Sequence, residues 1–243
     1  MRPRAILFDL DDTLISAYGR PREAWLDVAR EFAADLGDLT PEVVAEAAQD
    51  FAVQFWSDAE RHRYWRQRID EARRQVVAGA FARLTAQGLS VPGADVGHRL
   101  ADRFTAYRDE RMALYPDAHD VVDRLRGLGV RLAVVTNGPG PAQRAKLERF
   151  ALTHRFDHVQ IEGEHGFGKP EERAYRHALA AMGAAPEHTW MVGDNLEWEV
   201  AAPQRLGIHA VWVDPENKGL PKGSPIVPDR TIKALAELLL GVE

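Results

Sequence analysis

Cysteine is absent from this chain, which excludes disulfides, thiolate nucleophiles and cysteine-ligated metals. No apolar stretch approaches the roughly 18 residues that a membrane-spanning helix needs. An excess of one charge is missing too: 31 Lys and Arg stand against 37 Asp and Glu, for a formal net charge of −6. That balance offers nucleic acid no basic surface and carries no acidic, disordered tail. Only four residues, Met1-Arg2-Pro3-Arg4, precede the first apolar run, which leaves no room for a signal peptide, so the cytoplasm is the expected compartment. Repeats and low-complexity segments are lacking as well. What remains is an ordinary globular composition: 243 residues, 45% hydrophobic, enough for one large domain or two modest ones with a sizeable core.

Two textures divide the chain. A short apolar run, Ala5 to Phe8, reads as a buried strand. From Arg22 to Arg111 the composition turns to Ala, Arg, Glu, Leu and Gln with apolar residues at helical spacing, broken at Gly37 to Pro41 and at Gly88 to Gly97. Thr40 before Pro41 is a good N-cap followed by a first-turn proline. After Tyr115-Pro116, strand and helix alternate. Strands are expected at Val130 to Val135, Val159 to Ile161, Thr189 to Val192 and Ala210 to Val213. Helices are expected at Ala118 to Leu128, Ala142 to Phe150 and Glu171 to Met182, again after Asn195 and near Ile232 to Leu240. Five short buried strands separated by helices predict an α/β fold, a three-layer, Rossmann-like parallel sheet. The helical block is then an all-α cap inserted from about residue 16 to 112, the core comprising 1–15 and 113–243.

The chemistry concentrates where those strands end. Phe8-Asp9-Leu10-Asp11-Asp12-Thr13-Leu14 closes the first strand, and alternation sends the side chains of Asp9 and Asp11 one way and Leu10 the other. Carboxylates there are costly unless a cation or a reaction needs them, and this edge of an open α/β sheet is where ligands bind. The next strand ends in Thr136-Asn137-Gly138, a later one in Gly193-Asp194-Asn195, and Lys169 stands in Gly166-Phe167-Gly168-Lys169-Pro170. Three acids, a hydroxyl and an ammonium on one side of a parallel sheet form a plausible single site. Hard carboxylate oxygens suit Mg²⁺, while Thr136, amides near Asn137 and Gly138, and Lys169 suit phosphate oxygens.

Taken in order, these segments resemble the haloacid dehalogenase superfamily, specifically its phosphatases with a helical cap inserted after the first strand. The resemblance covers essentially the whole chain, the cap only in length and helical texture. It implies that Asp9 attacks phosphorus to form an aspartyl-phosphate. Asp11 would serve as general acid and then base, and Thr136 and Lys169 would hold the phosphoryl oxygens. Mg²⁺ would be held by Asp9, the Asp11 carbonyl and Asp194. Thr13 would orient the loop. The chain departs from the family at Glu199, where an Asp five residues after Asp194 is common, and a longer Glu would reach a metal-bound water or Lys169 less directly. Pro203 falls in the expected helix and should start or kink it.

In the cap, Arg61 to Arg74 carries six arginines and one histidine around one apolar stripe, Trp65, Ile69, Ala72 and Val76. Most of the arginines read as a solvated face, with Arg63, Arg66, Arg73 and Arg74 away from the stripe or at its margin. Arg61 and Arg68 fall on the Trp65 side, where either could read an anionic or hydroxylated leaving group or simply lay its stem on apolar surface. The expected activity is Mg²⁺-dependent hydrolysis of a small phosphate monoester, of the sugar phosphate or nucleoside monophosphate class, by a monomer or homodimer. A 2-haloacid dehalogenase needs neither Asp11 nor Asp194. A phosphotransferase of the phosphoglucomutase type differs only in its acceptor, and an inactive binding protein would be expected to lack Asp9 or Asp11.

Overall fold

A computed structural model describes residues 2–17 and 19–242. Along the chain run β1 (Ala5–Phe8), β2 (Ile15–Ser16), α1 (Pro21–Glu31), α2 (Pro41–Ser57), α3 (Ala59–Trp65), α4 (Ile69–Ala86), α5 (Ala94–Arg111) and β3 (Ala113–Leu114). Then follow α6 (Ala118–Gly127), β4 (Arg131–Thr136), α7 (Gly140–Arg149), β5 (His158–Ile161), α8 (Glu162–His165) and α9 (Glu172–Ala181). The chain continues with β6 (Thr189–Gly193), a π-helical turn (Leu196–Ala201), α10 (Ala202–Gln204), β7 (His209–Val213), β8 (Arg230–Ile232) and a 3₁₀ segment (Leu235–Gly241). It divides into two compact units, residues 1–16 with 113–243, and residues 17–112. Among the described residues no helix is long and apolar enough to cross a membrane.

In the first unit six strands pair in parallel, in the order β5-β4-β1-β6-β7-β8. The fold class is α/β with a parallel, Rossmann-like sheet. β1 is fully buried, as a central strand covered on both faces must be. One sheet face packs Leu7, Val135 and Met191 against Tyr175, Ala178 and Leu179 of α9. Register then sets the site. Phe8 is paired with both Val134 and Val192, so Asp9, Thr136 and Asp194 all lie within two residues of one level at the carboxyl edge. β2 and β3 form a separate antiparallel pair, Ile15 opposite Leu114 and Ser16 opposite Ala113.

The second unit has its own core, in which Trp25 stacks on Phe104 with centroids 3.5 Å apart and planes 8° from parallel. Thr40 caps α2, its hydroxyl accepting from the Val43 amide.

Several expectations need correction. A sixth strand, β8, takes Ile232 from the expected tail helix, and from Leu235 that tail is 3₁₀; a three-residue strand is too short for alternation to announce it. The break expected to reach Gly97 ends at Gly93, and Gly97 lies inside α5 against Phe81 and Val77. The arginine-rich stretch is two helices, not one: Arg68, at φ −137° and ψ 53°, separates α3 from α4, so a single helical wheel misplaces its side chains. Arg73, read as marginal, is buried, with its guanidinium 5.6 Å from the Phe104 ring. Pro203, expected to start or kink its helix, stands at the start of α10, where the π-helical turn passes directly into α-helix.

Candidate active site

The loop after β1 turns sharply, with Asp12 at φ 62° and its amide bonded to the Ile15 carbonyl. Leu10 is fully buried while Asp9 and Asp11 turn to the opposite side, as alternation requires. Thr13 is buried and among the described residues its hydroxyl has no hydrogen-bond partner, so it acts on the loop by packing.

Lys169 is the centre of the site. Its ammonium is fully buried, 2.5 Å from Asp9 Oδ1 and 2.8 Å from Glu199 Oε1. Burial alone would push this ammonium down, but the two carboxylates outweigh it and hold Lys169 above the ordinary lysine range. Burial lifts Asp9, opposed by Lys169 and assisted by the charge of Asp11. Burial likewise pushes Glu199 up to about 7, with Lys169 pulling against it. The lysine is held on its backbone side by Asn137, whose Oδ1 accepts from the Lys169 amide at 2.8 Å and whose Nδ2 donates to the Lys169 carbonyl at 2.8 Å. Gly168 makes this fit: a Cβ there would lie 2.4 Å from Asn137 Oδ1.

Asp194 follows β6 and is half-buried. Its carboxyl is pushed well above the ordinary range by burial first, then by Glu199, Asp9 and Asp12. Asn195, not Asp194, caps the next turn, accepting from the amides of Glu197 and Trp198. The Asp194 carbonyl accepts from Trp212 Nε1 at 2.6 Å. Glu199 reaches back to the Asn195 amide at 2.8 Å. Gly193 leaves the room for this, since a Cβ on it would fall 2.1 Å from Glu199 Cγ. Of the two partners considered for Glu199, the structure supplies Lys169.

Thr136 is buried, and its hydroxyl accepts from Gln143 Nε2 at 2.5 Å. The Gly138 amide, considered above as a phosphate donor, is instead given to Glu162 Oε2 at 3.1 Å. Asp11 lies in a second pair: Lys146 Nζ is 2.7 and 2.8 Å from its two oxygens, and Gln143 Nε2 is 2.9 Å from Oδ2. Gln143, Lys146 and Glu162 were missed in sequence. For the first two the signal was their spacing of three on the helix after Thr136. Arg61 and Arg68 belong to the second unit and are exposed. Arg68 lies 4.3 Å over the Tyr64 ring and donates to the Tyr64 carbonyl, and Arg61 lies 5.6 Å over Phe55.

Among the described residues no three His, Cys, Asp or Glu side chains assemble as a ready metal cage. The charge of Asp9 adds to the cost of ionising Asp194, and a divalent cation would relieve it. With the backbone carbonyl of Asp11 the two carboxylates would offer a hard-oxygen set of the partial kind that suits Mg²⁺, which retains several waters. The donor set fits that ion.

A family model for haloacid dehalogenase-like hydrolases matches residues 3–207. A phosphoserine phosphatase from Thermus thermophilus is 34% identical over 98% of this chain and 98% of its own length. A glyceraldehyde 3-phosphate phosphatase from Methanopyrus kandleri is 29% identical over 97% of this chain and 95% of its own. The crystal structure of the HAD-hydrolase YfnB from Bacillus subtilis is 23% identical and superimposes with a TM-score of 0.74 over the whole of both chains, a likeness of fold. The chain belongs to the haloacid dehalogenase-like hydrolases, and among them to the phosphatases.

Proposed function

We propose that this enzyme hydrolyses a small phosphate monoester through an aspartyl-phosphate on Asp9. The observation that carries the reading is the fully buried Lys169 ammonium bonded to Asp9: a carboxylate withdrawn from water beside a fixed cation is suited to receive a phosphoryl group. An Asp9 oxygen attacks phosphorus and the ester P–O bond breaks, with the proton of Asp11 passing to the leaving alkoxide. Water then attacks the same phosphorus, gives its proton to Asp11, and the bond to Asp9 breaks to release orthophosphate. Thr136 and Lys169 hold the phosphoryl oxygens while charge redistributes over them. Asn137 fixes the lysine, and Glu199 shares its charge.

Asp9, the Asp11 carbonyl and Asp194 would hold Mg²⁺, whose charge offsets the repulsion between carboxylate and phosphate dianion. The substrates named for the relatives, phosphoserine and glyceraldehyde 3-phosphate, are both small monoesters. They join sugar phosphates and nucleoside monophosphates as the candidate class. Arg61 and Arg68 are proposed readers of an anionic or hydroxylated leaving group.

The test is phosphate release from a panel of these esters with and without Mg²⁺, with Asp9→Asn as blank. Metal-dependent release lost in Asp9→Asn supports the reading. Release that survives Asp9→Asn, or no release from any ester, sinks it. Arg61→Ala and Arg68→Ala with unchanged substrate preference would remove the arginines from it.

A further inference from the structure

Asp11 has to deliver a proton in one half of the reaction and accept one in the other, so its carboxylate must stay aimed through both. A side chain on a tight loop, with free rotation about its Cβ–Cγ bond, does not do that unaided. In this structure it is not unaided. α7 begins shortly after the Thr136 loop and presents Gln143 and Lys146 on one face. Lys146 Nζ engages both oxygens of Asp11, and Gln143 adds a third bond to Oδ2. The pair is sheltered, with side-chain exposures of 14% for Lys146 and 15% for Asp11. Gln143 is 2% exposed and spends the same amide nitrogen on the Thr136 hydroxyl.

Elsewhere on α7, Arg144 turns to Glu164, bonded at 2.8 and 2.7 Å on a more exposed part of the surface. A helix needing only a surface ion pair already has one there. The inward pair does something else: it ties the group that moves protons to the hydroxyl that holds the phosphoryl group.

We infer that Lys146 and Gln143 are positioning residues, a clamp that fixes the Asp11 carboxylate and couples its placement to Thr136. Both act through Asp11 and Thr136 and not on the phosphoryl group itself, so the cost of losing the clamp falls on the chemical steps and not on substrate binding. A misplacement of about 1 Å in a reacting group costs on the order of 10²-fold in rate.

The inference rests on the acid–base reading of Asp11, and the experiment separates the two. On the best ester of the panel, kcat and KM are measured for wild type, Lys146→Met, Lys146→Arg, Asp11→Asn and Asp11→Asn/Lys146→Met. Lys146→Met is expected to lower kcat about 10- to 100-fold with KM held within about threefold. Lys146→Arg, whose guanidinium also engages two carboxylate oxygens, should recover most of the loss. In the Asp11→Asn background, Lys146→Met should cost nothing further, because the group being aimed is already gone. Equal losses from Lys146→Met in both backgrounds, or a loss seen in KM alone, would overturn the clamp while leaving Asp11 in its role. An Asp11→Asn enzyme as fast as wild type would overturn the reading beneath it.

Discussion

At the strand ends Lys169 lies fully buried between Asp9 and Glu199, whereas in the helical unit Arg103 lies at the surface between Glu31 and Glu110. The carboxylate partners in the first case are at most 10% exposed, those in the second at least 42%. Water screens the second set and lets each side chain give up its partner at little cost. The first set was taken out of water at a cost that attraction alone seldom repays, so its retention points to chemistry. The helical unit spends most of its arginines at the surface, on carboxylates such as Asp102 and on ring faces such as Tyr64 and Tyr107. Many charges in one region therefore say less about function than three in the other.

That contrast can be broken most forcefully at Lys169. Lys169→Met leaves Asp9 and Glu199 buried without a counter-ion, so it should abolish phosphate release and cost about 3–5 kcal/mol in urea unfolding. Wild-type stability in this variant would mean the buried triad is as well solvated as a surface pair. A far smaller effect is expected at Arg103. Arg103→Gln should cost less than about 1 kcal/mol at low salt, less still at 1 M NaCl, and leave turnover unchanged; a larger, salt-resistant loss would erase the distinction from the other side.

The smallest effect concerns a half-buried imidazole on β5. His158 sits beside His177, ring centroids 5.7 Å apart, and His177 beside His165 at 4.8 Å. Burial first, then the nearby His177 and His165, hold the His158 imidazole below its usual 6.5. The unfolded chain therefore binds a proton that the folded chain refuses between that lowered value and 6.5. Stability falls as pH drops through this window and is flat above it. Thermal melts of wild type and His158→Gln between pH 5 and 8 should show the slope reduced in the variant, and identical slopes would remove His158 as its source.

What the sequence displays is what local pattern can carry. Asp9 and Asp11 are announced by an apolar run that stops and by the period of two in an extended chain, and Thr136 and Asp194 by the same device on two other strands. Lys169 is announced by a glycine-flanked loop before a helix. The expectation fails where geometry is made by partners distant in sequence. Lys146 meets Asp11 across 135 residues, and nothing local to either states the encounter. Gly138 looks like a phosphate-binding amide until Glu162, 24 residues on, takes it. Arg68 breaks a helix that its neighbours' periodicity would have continued, and with the phase lost, Arg73 moves from margin to interior. β8 exists because β7 offers it an edge, a reason that lies wholly outside its three residues.

The pairing of β2 with β3 gives the chain a modular design. The excursion from Ala17 to Met112 departs from Ser16 and re-enters at Ala113, two residues that face each other across an antiparallel ladder. Such a junction behaves as a socket: whatever is plugged in must only begin and end at neighbouring points, and the sheet is indifferent to its length or sequence. An excursion that leaves and returns at one paired point puts no strain on the register of β1 with β4 and β6, and so leaves Asp9, Thr136 and Asp194 at their common level whatever lies beyond the junction.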